Sequence, residues 1–106
     1  MSVAPIPTYE PSTPGLVTFL LVAYNEEDAI EKVIKDTRVV LDKAGVNYEV
    51  LVVDDCSKDR TAEIAEKLDA RLIRHKVNRG SGAARRNGTI HARGEIIVML
   101  DADGTY

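Results

Sequence analysis

The chain has a single cysteine, Cys56, and no tryptophan. One cysteine cannot close an internal disulfide and stands too isolated for a cysteine-based metal site, so Cys56 is expected to be a small packing residue. No apolar stretch approaches the roughly 18 residues that a membrane-spanning helix needs, and the N-terminus lacks a basic region followed by an apolar core. Neither an anchor nor a signal peptide is expected, and the cytoplasm is the default compartment. A net charge of -3 over 106 residues argues against general nucleic-acid binding, which calls for a basic domain.

Proline is missing after position 14, because all four prolines lie in "MSVAPIPTYEPSTPG". Residues 1–15 are too proline-rich and too poor in periodic apolar residues to join a core, and are expected to form a flexible arm. Acidic residues are missing from Ala70 to Gly94, where Arg71, Arg74, Lys76, Arg79, Arg85, Arg86 and Arg93 all fall. Such a stretch is either a solvated basic face or an anion site. At 44% hydrophobic and 29% charged, the composition is that of an ordinary soluble globular chain, with room for one small domain over residues 16–106.

From Leu16 onward the pattern is regular. "LVTFLLVAY" is a nearly continuous apolar run, as in a strand buried on both faces. Asn25 can cap a following helix, with Glu26, Glu27 and Asp28 in its first turn where the dipole favours negative charge. Ile30, Val33, Ile34, Val40, Leu41 and Ala44 then recur at helical spacing up to Gly45, a helix stop.

"YEVLVVDD" is a second buried strand, and Ser57 or Asp59 can cap a helix whose Ile64, Ala65 and Leu68 share a face. "ARLIRH" is a shorter third strand. "NRGSGAARRNGTIHARG" enters a helix through glycines, with Gly88 permitting close packing and Gly94 ending the helix. "EIIVML" is the fourth strand. This alternation predicts an α/β fold with three layers, a parallel sheet of order 3-2-1-4 and right-handed crossovers. Ligands of such sheets sit at the carboxyl ends of the strands. The edge of the last strand is expected to lie uncovered and to invite self-association.

Three polar clusters should share that carboxyl edge: Tyr24, Asn25 and Glu26; Asp54 and Asp55; Asp101, Ala102 and Asp103. Asp101 and Asp103 are either a strand-ending turn or hard oxygen ligands for Mg2+ or Mn2+ that leave coordination positions for a diphosphate. Asp54 and Asp55 either cap the next helix or accept a hydrogen bond from a base N–H. Tyr24 suits packing or base stacking equally. The run Gly80-Ser81-Gly82-Ala83-Ala84-Arg85 lacks a terminal Gly-Lys-Ser/Thr and follows the third strand, so it is neither a P-loop nor a dinucleotide fingerprint. Its helix N-terminus, with Arg79 and Arg85 nearby, can still receive a phosphate. An Asp-x-Asp-Gly-Thr at a strand tip also fits a haloacid-dehalogenase-type phosphatase, and size and acidity fit a receiver-like signalling module.

Taken in order, "AYNEEDAI", "VVDDCSKDRT", "NRGSGAARRNG" and "ARGEIIVMLDADGTY" resemble the N-terminal, nucleotide-binding half of inverting family 2 glycosyltransferases with the Rossmann-like GT-A fold. The resemblance covers residues 17–106 and is strongest toward dolichol-phosphate mannose synthase-like and other polyprenyl-phosphate sugar transferases. It implies that Tyr24, Asn25 and Glu26 line a nucleotide pocket, that Asp55 reads the base with Asp54 in support, and that Asp101 and Asp103 hold the metal and diphosphate. It also implies a GDP- or UDP-linked sugar donor, an acceptor such as polyprenyl phosphate, and a parent protein at the cytoplasmic face of a membrane.

Ser81 stands where many relatives carry Lys, and Thr105 where many lipid-phosphate transferases carry Gln. The general base and the acceptor half of the family are expected beyond Tyr106, so no catalytic residue is assigned and the chain is expected to be a fragment inactive by itself. A dehalogenase-type phosphatase would place its Asp-x-Asp near the start of the chain, and a receiver would place acids after the first strand, where this chain has Tyr-Asn-Glu.

Overall fold

The computed structural model describes residues 2–5 and 13–101. In chain order the elements are β1 (Ser2–Pro5), β2 (Thr13–Ala23), α1 (Ile30–Ala44), β3 (Asn47–Asp54), α2 (Thr61–Lys67), β4 (Arg71–Arg74), α3 (Ser81–His91) and β5 (Gly94–Asp101). The sheet order is β1-β5-β2-β3-β4. Pairings of β2 with β3, β2 with β5 and β3 with β4 are all parallel. The expected four-stranded parallel sheet of order 3-2-1-4 is therefore present as β4-β3-β2-β5.

Strand alternation splits the core into two layers. One face of the sheet sends Leu21, Val50, Val52, Val98 and Leu100 against α1 and α2, where Ile30, Val33, Ile34 and Ala65 complete the cluster. The other face sends Leu20, Leu51, Val53 and Ile97 against Ala84 of α3. Neighbouring residues of one strand thus serve opposite layers, which is why the strands are apolar throughout instead of alternating. Gly88 permits the close approach of α3, since a Cβ there would lie 2.4 Å from Leu20 Cδ1.

Several boundaries differ from expectation for local reasons. Asn25 does not cap α1; it adopts a left-handed backbone at φ 51, and a turn over 26–29 delays the helix to Ile30. On α1 the buried face is Ile30, Val33, Ile34, Thr37 and Leu41, while Val40, just beyond the edge of that stripe, is exposed. Gly45 does end the helix, at φ 69. Gly94 does not end α3, which stops at His91; it opens β5 at a point where a Cβ would meet Thr18 N at 2.5 Å.

The strands also reach into the segment expected to be a free arm. Thr13 donates its N–H to Arg93 O at 2.8 Å and begins β2, with a register irregularity before Val17. Ser2–Pro5 pairs antiparallel with β5, Ser2 opposite Met99 and Pro5 opposite Ile96. The edge of β5 expected to be open is therefore occupied by the chain itself. Proline tolerates such a position because an edge strand needs only one side of its backbone paired.

Candidate functional site

The parallel register brings the carboxyl ends of β2, β3 and β5 to one edge. Ala23, the last residue of β2, lies beside Asp54, the last residue of β3. Asp101, the last residue of β5, lies beside Val22. The loops after β2 and β3 leave this edge together. Ala102 and Asp103 fall outside the described residues, and among the described residues no group of three His, Cys, Asp or Glu side chains converges on a metal position.

The loop after β2 is fastened to the loop after β3 by reciprocal bonds. Asn25 N–H donates to Ser57 Oγ at 2.8 Å, and Lys58 N–H donates to Asn25 Oδ1 at 2.9 Å. Glu26 N–H donates to Thr61 Oγ1 at 2.8 Å, and Glu27 N–H to Asp59 Oδ2 at 3.2 Å. Ser57 in turn is held by fully buried Asp54, which accepts both its N–H and its hydroxyl. Arg74 Nε stands 3.7 Å from Asp54 Oδ2. Asp54 thus acts as an internal brace, one position removed from the open edge. Asp59 serves α2 by accepting Thr61 N–H at 3.0 Å, as expected of a residue near a helix start. Burial works to raise the Asp59 carboxyl, but the donors from Thr61 and Glu27 outweigh it and hold the group below its ordinary value.

Asp55 is also buried, at 3% exposure, and is held differently. Its Oδ1 accepts Arg79 N–H at 2.8 Å and faces His75 Nδ1 at 2.9 Å, while its Oδ2 accepts Gly80 N–H at 2.8 Å. Burial pushes its pKa up, yet the Arg79, His75 and Gly80 donors together leave it lowered. The carboxylate therefore stays ionised and pins the glycine-rich entry of α3, whose Gly80 sits at φ 90. Neither Asp54 nor Asp55 is a simple helix cap.

Tyr24 is 43% exposed beside these loops, and Asn25 is exposed next to it. Arg79 is exposed just before α3, and Arg85 lies one turn inside it. Two clefts flank His75. One, of about 390 Å³, is lined by Cys56, Ser57, Arg74, His75 and Lys76. The other, of about 200 Å³, runs along α3 past Arg79, Ala83, Arg86, Asn87 and Ile90. Cys56 is more than a packing residue: it turns the chain at φ 64, and its thiol donates to Lys76 O at 3.4 Å.

The sequence did not single out Ser57's hold on the first loop, or His75 and Asn87. The available signal was positional: His75 is the first residue past β4, and the four parallel strands of this sheet end at the same edge.

The comparisons agree with this fold. Residues 18–106 match Glycosyl transferase family 2, and the chain belongs to that family. A dolichyl-phosphate beta-glucosyltransferase of Trichomonas vaginalis is 37% identical over 110 residues, covering 94% of this chain and 33% of its own. The crystal structure of mannosyl-3-phosphoglycerate synthase from Rubrobacter xylanophilus superposes with a TM-score of 0.76 at 25% identity, covering 83% of this chain and 30% of that one. Glucosyl-3-phosphoglycerate synthase from Mycobacterium tuberculosis, solved with Mn2+, UDP and glucosyl-3-phosphoglycerate, superposes at 0.71 with 28% identity, covering 84% and 34%. The chain thus spans about a third of the length of these relatives. The fold is that of GT-A glycosyltransferases, and nothing supports the phosphatase or the receiver.

Proposed function

We propose that this chain is the donor-binding half of a glycosyltransferase that takes a sugar from a uridine-diphosphate carrier, with inversion, to a polyprenyl phosphate at the cytoplasmic face of a membrane. The observation that carries the reading is the convergence of Tyr24–Glu26, Asp54–Asp55 and Asp101 on one sheet edge. The dolichyl-phosphate relative supports the acceptor class. The UDP and Mn2+ of the mycobacterial neighbour support the donor and the ion.

In this reading Tyr24 offers its exposed ring to the base, and Asn25 and Glu26 line the same pocket. Asp55 accepts a base N–H. Fixed donors already occupy three of its roughly four acceptor positions, two on Oδ1 and one on Oδ2, so one remains. A single acceptor suits the lone ring N–H of uracil better than the two adjacent donors of guanine. Arg79 and Arg85 bring positive charge to the start of α3, where a diphosphate is also favoured by the helix terminus.

Asp101 and Asp103 would hold Mg2+ or Mn2+. Two carboxylates are the hard donors these ions prefer, and the end of β5 beside β2 places Asp101 next to the loop that carries Tyr24. When bound, such an ion offsets the charge of the departing diphosphate. The remaining work falls to the protein: bracing the two loops, keeping Asp55 ionised and orienting the nucleotide.

Calorimetric titration with UDP and GDP, each with and without Mn2+, tests this reading. UDP should bind in a Mn2+-dependent manner and more tightly than GDP. Asp103→Asn should weaken that binding at least about tenfold, as for loss of a charged ligand group, while leaving the melting temperature in place. Equal losses of binding and stability would return Asp101–Asp103 to a strand-ending turn. Release of phosphate from p-nitrophenyl phosphate without nucleotide preference would favour a phosphatase.

A further inference from the structure

His75 is a buried titratable residue with no part in the function proposed above. It is 7% exposed, and its N–H extends the β3–β4 ladder by donating to Asp54 O at 2.9 Å. Its two ring nitrogens face different elements. Nε2 lies 3.0 Å from Asn87 Nδ2 on α3, and Nδ1 lies 2.9 Å from Asp55 Oδ1 after β3. An amide nitrogen can only donate, so Nε2 accepts and the ring proton sits on Nδ1. Asn87 therefore selects the tautomer, and the tautomer supplies a donor to Asp55.

The other two donors to Asp55, Arg79 N–H and Gly80 N–H, come from one short loop. These two groups take one carboxylate oxygen each, so they orient Asp55 only relative to that loop. A third donor from the end of β4 ties the carboxylate to the sheet as well. His75 contributes it from an independent strand, and Asn87 ties the ring to the helix that the same loop begins.

We propose that His75 is a positioning residue that aims the remaining acceptor of Asp55 at the nucleobase, with Asn87 fixing the ring in the Nδ1–H form. The proposal rests on the reading of Asp55 as the base acceptor. It predicts that His75 controls recognition of the base and leaves recognition of the diphosphate untouched.

The test titrates UDP and inorganic pyrophosphate, each with Mn2+, into four versions of the chain: wild type, His75→Phe, His75→Asn and Asp55→Asn. His75→Phe fills the space without a donor and should lower UDP affinity about tenfold, the worth of one hydrogen bond to a charged group, with pyrophosphate unchanged. His75→Asn carries an amide nitrogen at the position of Nδ1 and should restore UDP affinity to within about threefold of wild type. Equal loss of UDP and pyrophosphate in His75→Phe, or no rescue by His75→Asn, would overturn the positioning role. UDP affinity unaltered by Asp55→Asn would instead overturn the reading of Asp55 itself. Should His75→Phe fail to fold, the ring nitrogen shifts of His75 in the 15N spectrum of the wild-type chain still decide: a proton on Nδ1 is expected, and a proton on Nε2 would refute the scheme.

Discussion

The two ends of the sheet each hold an ionised carboxylate under three donors, Asp55 buried and Glu49 partly buried, and they put it to different uses. At the carboxyl edge Asp55 is served by loops, by two backbone N–H groups and a histidine. At the amino edge Glu49 of β3 is served mainly by sheet strands. It accepts from Thr18 Oγ1 of β2 at 2.6 Å, Arg71 Nη1 of β4 at 2.7 Å and Arg93 N–H, just before β5, at 2.7 Å. Burial pushes Glu49 up, but Thr18, Arg71 and Arg93 outweigh it and its pKa is lowered. Thr18 also accepts Gly94 N–H at 2.8 Å, and no side chain fits at Gly94. The amino edge ties strand to strand around a partly buried Glu49, while clefts border His75 at the carboxyl edge. One satisfied carboxylate fastens strands to each other, and the other fastens the loops that border the clefts.

The comparison breaks most severely at the amino edge. Gly94→Ala is expected to cost about 3 kcal/mol or more in urea unfolding, since the new Cβ meets backbone that cannot yield. Glu49→Ala should cost about 2–4 kcal/mol by stranding three donors, with UDP affinity unchanged in the fraction that remains folded. Asp55→Asn should invert that pattern, costing less than Glu49→Ala in stability and more in UDP binding.

Acid sharpens the contrast further. Both carboxyls have folded values below their ordinary 3.8 and 4.5, so each contributes stability that is complete above those values and lost as pH falls through the depressed ones. Stability is therefore expected to fall below about pH 4, and Glu49→Gln should flatten that fall in pH-dependent melts. The smallest effect belongs to neither edge: Lys32→Ala on α1 breaks an exposed i,i+4 pair with Asp36 and should shift stability by no more than about 0.5 kcal/mol.

Much of this molecule was legible in order along the chain. Unbroken apolar runs announced strands buried on both faces, glycine at 45 announced a helix end, and acids after strands announced a ligand edge. Less legible was anything that depended on a partner distant in sequence. Asn25 has the letter of a cap, but its side chain is claimed by Lys58, 33 residues on. Asp54 and Asp55 are adjacent and identical, yet strand alternation turns one inward onto Ser57 and the other toward the loop at Arg79 and Gly80.

The sequence by itself determined the parallel α/β alternation, the family and the set of polar residues available at the strand ends, because apolar periodicity and chain order act locally. Only the tertiary structure decided which of those residues meet. His75, Asn87 and Asp55 lie on or just past three elements and up to 32 positions apart, and Ser2–Pro5 finds its place only against β5. Hydrogen bonds are short and directional, so their partners are fixed by the packing of whole elements and not by the letters beside them.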